Sequence, residues 1–186
     1  MKILKDIYTY FPEIDWDGLN HTSYPRIRFY FDYNEKQLPK LLIKLQKIFK
    51  NFFIHDDIFI WIILIWNKKL SNNTIKLLKE RWLFWIIEHS KEKMIIKKED
   101  NNNFYFFCKI NFSEINTINK AIIEKDFWIS PQLYLDCFYF NFNKWIAINL
   151  YDDRGMDIIS QTNKINSLQN IYNVFHKEYK IIFEKK

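Results

Sequence analysis

Three strand-like segments follow one another in the last third of the chain, with no room for a helix between them. They are LYLDCFYFNF (133–142), WIAINLY (145–151) and MDIIS (156–160). Parallel neighbours in a sheet need a long crossover connection, whereas antiparallel neighbours need only a short loop. The spacing therefore predicts a C-terminal antiparallel β-meander, and it restricts the chain to folds that contain such a sheet.

The rest of the chain alternates between helical and strand-like spacing of apolar residues. Helices are predicted over 2–10, 38–53 and 74–89, then from an N-cap at Ser113, and finally from about 166 with Asn166 or Ser167 as its cap. Strands are predicted over 26–32, 57–66, 93–98 and 104–111. The last helix is expected to bury one apolar face, formed by Leu168, Ile171, Tyr172, Phe175, Tyr179 and Ile182. Together these segments predict one α+β domain over 1–186, in which helices pack on a mainly antiparallel sheet.

The charge pattern and the apolar runs limit the partners that we expect. The net charge is +6, but the basic residues are interspersed with acids, as in KEKMIIKKED (91–100). This pattern is typical of solvated surfaces and does not favour a nucleic-acid partner. The longest apolar run, IFIWIILIW (58–66), is far shorter than the roughly 20 residues of a membrane-spanning helix. The N-terminal residues also lack the apolar core of a secretory signal. We expect a cytoplasmic protein without a membrane partner.

The residues that usually carry catalysis form no recognisable constellation. Cys108 and Cys137 lie in aromatic strand segments, where a small buried and reduced thiol is the simpler interpretation. The sequence His55-Asp56-Asp57 is interpreted as a polar loop before a strand, although a base with an orienting acid is an alternative. With only 2 glycines the chain has no Gly-rich phosphate loop. We therefore expect a protein that is not an enzyme and that uses no metal or cofactor.

The stretch NLYDDRGMDII (149–159) interrupts the meander with charged residues and is the most informative part of the sequence. Asp152 is expected to accept main-chain N–H groups of a turn, and Gly155 to supply a left-handed conformation. Arg154 either pairs weakly with Asp153 or Asp157, or offers its planar donor fork to a partner. Three aspartates could also hold a divalent cation, but their spacing matches no established metal loop.

The same stretch carries a family resemblance. The segments AIIEKDF (121–127), YFN (139–141) and INLYDDRGMDII (148–159) resemble a bacterial family of unknown function with a Y-D-D-R-G-M-D-x-I core. FPEI (11–14) and RIRFYFD (26–32) extend the likeness over most of the chain. Small members of such families resemble immunity proteins of contact-dependent inhibition systems, which neutralise a cognate toxin domain, often a nuclease. The resemblance implies that this core contacts the toxin through Tyr151, Asp152, Asp153, Arg154 and Asp157, with Gly155 as a structural turn residue.

Two other functions remain open at this point. Arg26, Arg28 and Tyr30 share one face of a predicted strand, and such a face is suited to stacking on single-stranded RNA. A metal-dependent hydrolase at the aspartates is the third possibility. The immunity function is preferred because we expect a compact single domain that lacks a catalytic constellation and exposes an excess of aromatic side chains.

Overall fold

A computed structural model describes residues 2–12, 24–53, 56–66, 76, 78–80, 83–90, 92–97, 102–127, 129, 135–152 and 154–185. Its helices are α1 (Lys2–Tyr10), α2 (Leu38–Phe53), α3 (Phe84–His89), α4 (Phe112–Asp126) and α5 (Ile165–Phe175). Its strands are β1 (Arg26–Tyr30), β2 (Ile58–Trp66), β3 (Glu92–Lys97), β4 (Asn102–Ile110), β5 (Leu135–Asn141), β6 (Ile146–Leu150), β7 (Gly155–Ser160) and β8 (Lys180–Glu184).

The strands form one eight-stranded sheet in the order β3-β4-β2-β5-β6-β7-β1-β8. Each neighbouring pair is antiparallel. The α+β class and the meander β5-β6-β7 are therefore confirmed. The sequence did not predict that β1 pairs with β7 on one side and β8 on the other, which places residues 26–30 among the last strands of the chain.

Helices cover the two faces of the sheet unequally. The larger core lies between one face and the helices α2, α4 and α5, and it includes Leu45, Ile118 and Phe175. A smaller core on the opposite face is built around α1, where Ile7 and Phe11 pack with aromatic residues of β4 and β5. Because alternate strand residues point to opposite faces, Arg26, Arg28 and Tyr30 of β1 lie on the same face as α1.

The C-terminal region differs from the sequence prediction. Helix α5 ends at Phe175 rather than continuing through Ile182, and the chain returns as β8 beside β1. It begins at Ile165 after a 3-10 turn over Thr162–Lys164, so Asn166 and Ser167 lie inside its first turn instead of capping it. The chain thus adds an edge strand where a longer helix was expected.

Two further helix predictions change in detail. Helix α4 is capped by Asn111 and not by Ser113, since the Asn111 N–H donates to the Glu114 carboxylate at 2.6 Å in a capping box. The helix predicted over 74–89 is seen as α3 and as helical residues at 76 and 78–80. Leu83, just before α3, is not helical, and 74–75, 77 and 81–82 lie outside the described part. Within the described ranges, none of the helices combines the length and the apolar character needed to cross a bilayer.

Candidate binding site at the β6–β7 hairpin

Asp152 organises the hairpin that joins β6 to β7. Its Oδ1 atom accepts hydrogen bonds from the Arg154 N–H at 2.8 Å and the Gly155 N–H at 3.0 Å. The side chain is buried, so these main-chain groups are satisfied by the carboxylate in a site with little water. This is the turn chemistry that the sequence indicates for an aspartate at this position. Asp153 follows it directly but lies outside the described residues.

The same carboxylate also fixes Arg154. Its Oδ2 atom accepts hydrogen bonds from Arg154 Nε at 2.8 Å and from Nη2 at 2.5 Å. The main chain is held as well, because the Phe31 N–H donates to the Arg154 carbonyl oxygen at 2.6 Å. Among the described aspartates, Arg154 therefore pairs with Asp152, whereas the sequence had suggested Asp153 or Asp157. Although hydrogen bonds hold both its main chain and its guanidinium group, the Arg154 side chain is 81% exposed.

Asp157 has a different role, because it is completely buried in the sheet. Its two oxygens accept hydrogen bonds from Arg28 Nε and Nη2, each at 2.8 Å, and Arg26 Nη1 lies 3.5 Å away. Arg26 in turn donates to Glu184 at 2.6 and 2.7 Å. These four residues join β7, β1 and β8 by alternating charges. In this conformation Asp157 therefore supports the hairpin and presents no surface to a partner.

This network bears on the alternative in which Arg26, Arg28 and Tyr30 form a basic face for RNA. Arg26 is buried, and Arg28 keeps only 20% of its side chain exposed. The hydrogen bonds to Asp157 raise the pKa of the Arg28 guanidinium well above its ordinary value. The two positive charges are balanced by two carboxylates, so the strand does not offer an uncompensated basic surface.

Gly155 is required by the space around it rather than by its backbone angle. None of the described glycines has a positive φ, so the expected left-handed conformation is wrong. A Cβ atom at Gly155 would lie 2.5 Å from the Tyr151 hydroxyl oxygen and 2.6 Å from the Phe29 carbonyl oxygen. The Tyr151 ring therefore lies over this glycine. Burial, followed by the nearby Asp157 charge, raises the pKa of the Tyr151 phenol, which keeps it protonated.

Tyr30 and Lys180 complete a surface around the hairpin. Tyr30 of β1 is paired with Gly155 on one side and with Lys180 on the other. The Lys180 ammonium lies 5.6 Å from the centre of the Tyr30 ring, within the range of a cation–π contact. We call the set Tyr30, Tyr151, Arg154 and Lys180 the hairpin surface. Sequence reasoning missed Lys180 because only the long-range pairing of β8 brings it to this place.

A second concave region lies at the β5–β6 turn. A cleft of about 400 Å³ is bordered by Lys144, Trp145 and Lys164. Trp145 has a φ of 57°, which is rare for a bulky residue. Lys144 is already engaged, because it donates to Asp56 at 2.8 Å and to the Phe52 carbonyl oxygen at 2.9 Å. Lys144 therefore serves first to stabilise the turn.

The remaining chemical candidates are tied into the structure. Cys108 and Cys137 are buried and are not joined in a disulfide, and burial raises the pKa of the Cys108 thiol to about 12. Asp152 and Asp157 are each bound to an arginine. In the described part of the chain, no three His, Cys, Asp or Glu residues are grouped so that they could hold a metal. His55 lies outside that part, so its proposed pairing with Asp56 is not described.

The fold and the hairpin define an α+β protein in which an exposed, ordered arginine is presented by a single antiparallel sheet. The chain belongs to the family described as domain of unknown function DUF3885, whose model matches residues 3–178. The match includes β1, the meander and the whole hairpin. The expected membership of a family of unknown function is thereby confirmed. No curated protein and no solved structure matches the chain.

Proposed function

We propose that this protein acts by stoichiometric binding, as an immunity protein that neutralises a cognate toxin domain of a contact-dependent inhibition or polymorphic toxin system. The supporting observation is Arg154, which is ordered by Asp152 and yet 81% exposed. The Asp152 side chain of this pair is buried while the guanidinium extends into solvent, so the hairpin holds the arginine and presents it where a partner can contact it. A side chain that is already ordered also loses less conformational freedom on binding.

The composition of the hairpin surface fits a protein interface. Tyrosine and arginine are the residues most enriched among those that dominate binding energies. Tyr30 and Tyr151 are both partly buried, and Tyr151 lies three residues before Arg154, so each ring can offer a rigid edge to a partner. The motif residues therefore divide into two groups: Tyr151 and Arg154 make contact, whereas Gly155 and Asp157 shape the support. Asp153 belongs to the same loop and remains part of the proposed contact.

The charge of the surface indicates the kind of toxin surface that it fits. Arg154 and Lys180 are both positive, and the whole chain has a net charge of +6. Complementary potentials favour an acidic contact patch on the toxin. A nuclease that uses metal ions carries such carboxylates at its active site. A guanidinium fork inserted among them would compete with both the metal ions and the nucleic acid.

RNA binding by β1 has less support. Its arginines are bound to Asp157 and Glu184, and stacking would have to occur on a strand in the interior of the sheet. Hydrolysis at the aspartates has less support for a similar reason, because Asp152 and Asp157 are both occupied by arginines.

The test is co-expression with the C-terminal domain of whatever large protein is encoded immediately upstream. We expect that domain to be toxic alone, and the wild-type protein to restore growth and to co-purify with it at a fixed ratio. Arg154→Ala should weaken the complex about 30-fold or more, as loss of a dominant interface residue does. The matched control is Lys177→Ala, which removes an exposed positive charge from the turn after α5. Lys177→Ala should melt at the wild-type temperature, whereas Arg154→Ala, which leaves the buried Asp152 carboxylate with only its two main-chain donors among the described residues, should stay folded but melt somewhat lower.

Two results would contradict the proposal at different levels. A neighbouring domain that is harmless, or rescue of growth without a complex, would exclude the immunity function. Equal affinities for Arg154→Ala and Lys177→Ala would leave the immunity function intact but place the interface away from the hairpin surface.

A further inference from the structure

Strand β8 forms one edge of the sheet in the described part of the chain. Edge strands present main-chain N–H and C=O groups on which another strand can pair. At the centre of β8 lies Ile182, which is 47% exposed and is one of the few large apolar side chains on the described surface. This combination raises the question of what strand could cover the edge.

Two hydrogen bonds establish which way the main-chain groups of β1 point. The Phe31 N–H donates to the Arg154 carbonyl oxygen at 2.6 Å, and the Pro25 carbonyl oxygen accepts from the Ser160 N–H at 3.3 Å. Both partners lie on or next to β7, so the odd-numbered positions of β1 face β7. Main-chain groups alternate in direction along a strand, and the even-numbered positions therefore face β8.

The register then gives the orientation of β8. Arg28 is paired with Ile182, so the main-chain groups of Ile182 turn inward to β1. Those of Ile181 and Phe183 consequently point outward, away from the sheet. On the outer edge, the main-chain N–H and C=O groups of Ile181 and Phe183 can thus bond to another strand, and the exposed Ile182 lies between them.

We propose that a second copy of this chain covers the edge, through symmetric antiparallel pairing of β8 with Ile182 on the two-fold axis. In this register Ile181 of each copy exchanges main-chain hydrogen bonds with Phe183 of the other copy. Ile182 meets its own counterpart at a non-hydrogen-bonded position, where side chains approach most closely. Such an interface is isologous and closed, so it ends at a dimer.

Charge complementarity selects this occupant and this register. Lys180 and Glu184 lie at the two ends of β8, so antiparallel self-pairing places each Lys180 opposite Glu184 of the second copy. Parallel pairing would instead place like charges opposite each other, which destabilises a sheet. Glu184 is held by Arg26 at 2.6 Å, and Lys180 lies over the ring of Tyr30. The two charged groups are thus positioned before the dimer forms.

The pairing is short, since β8 has 5 residues, so we expect a reversible dimer of modest affinity. Sedimentation of the wild-type protein should show an average mass that rises with concentration from 23.2 kDa toward twice that value. Ile182→Lys should keep the protein monomeric at every concentration, because it places two like charges on the axis. Its circular dichroism spectrum and melting temperature should stay close to those of the wild type.

Disulfide trapping tests the register directly. Cα atoms at a non-hydrogen-bonded antiparallel position are about 4.5 Å apart, within the roughly 4.4–6.8 Å that a disulfide spans. Under mild oxidation Ile182→Cys should therefore form a covalent dimer at least about tenfold faster than Val174→Cys, a control on the exposed face of α5. The natural cysteines are buried and should not interfere. Adding Lys180→Glu to Ile182→Cys should slow the reaction, because it places Glu opposite Glu184.

The proposal is overturned if the wild-type protein sediments as a monomer at all concentrations. It is also overturned if Ile182→Cys and Val174→Cys cross-link at the same rate. A dimer that persists in Ile182→Lys would place the contact on another surface.

Discussion

Replacement of Asp157 by asparagine should destabilise the protein strongly, although the two side chains have nearly the same shape. The carboxylate is fully buried and bound to Arg28 through two hydrogen bonds of 2.8 Å. Breaking a buried ion pair by removing one partner costs about 3–5 kcal/mol, because the other charge is left uncompensated. Arg28 is 20% exposed and can recover some hydration, and Arg26 keeps Glu184. We therefore expect a loss near the lower limit, about 3 kcal/mol.

The measurement is urea denaturation of Asp157→Asn beside a matched control, Asp57→Asn. Asp57 pairs with Lys109 at 2.6 Å, but both side chains are more than half exposed. Loss of an exposed pair should cost less than about 1 kcal/mol. For a chain of this size, about 3 kcal/mol corresponds to a decrease in melting temperature of roughly 6–12 °C.

Two results would refute this reasoning. If both variants lose the same small amount of stability, the buried network contributes no more than a surface ion pair. If Asp157→Asn retains its stability but loses affinity for the toxin, the residue belongs to the interface and the hairpin must open on binding.

Two further predictions concern the packing and the acid stability of the domain. Gly155→Ala should lower the free energy of unfolding by about 1–3 kcal/mol, because the added Cβ overpacks the site. Adding Tyr151→Phe should restore only part of this loss, since the Phe29 carbonyl oxygen remains in the way. A wild-type thermal melt for Gly155→Ala would contradict the close approach. The hydrogen bond from Lys144 lowers the pKa of Asp56 from 3.8 to about 2, so the folded state binds fewer protons than the unfolded chain. The stabilisation by the Asp56 carboxylate is complete above its ordinary pKa of 3.8 and is lost as the pH falls through about 2. The melting temperatures of the wild type and of Asp56→Asn should therefore converge between pH 3.8 and about 2. A difference that stays constant over this range would exclude the ion pair as its cause.

The meander and its turn could be predicted because their signals are local. Alternating apolar residues define β5, β6 and β7, and segments too close for a crossover must pair antiparallel. The role of Asp152 as acceptor for the turn follows from the residue types within four positions. The requirement for Gly155 was also visible, but its cause was not. It depends on the packing of Tyr151 and Phe29, and no turn rule contains that information.

Strand β8 was missed because its residues continue the spacing of the preceding helix. Leu168, Phe175 and Ile182 recur at seven-residue intervals, which is typical of one helix face. Neither glycine nor proline marks the end of α5. The strand conformation is favoured because the edge of β1 is available to pair with the five residues of β8. In addition, Phe183 packs on Tyr172 of α5 with ring centres 5.9 Å apart. Tertiary pairing therefore overrides local periodicity in this segment.

The charges of β1 show the same limit for the candidate site. The alternation of the strand correctly predicts that Arg26 and Arg28 share a face. What the sequence conceals is that Asp157, some 130 residues later, is in register with Arg28. An exposed basic face and a neutral buried network have the same local pattern. Only the strand order distinguishes them, and that order results from contacts between distant segments.

The hairpin consequently combines a structural role with the proposed binding role. Asp152 serves both, because one oxygen caps the turn and the other holds Arg154. A substitution at Asp152 would lower stability and release the arginine together, so a loss of binding in such a variant would not identify the contact residue. Substitutions at Arg154 leave the acceptor for the turn in place. They are therefore the changes that separate the binding role of the hairpin from its structural role.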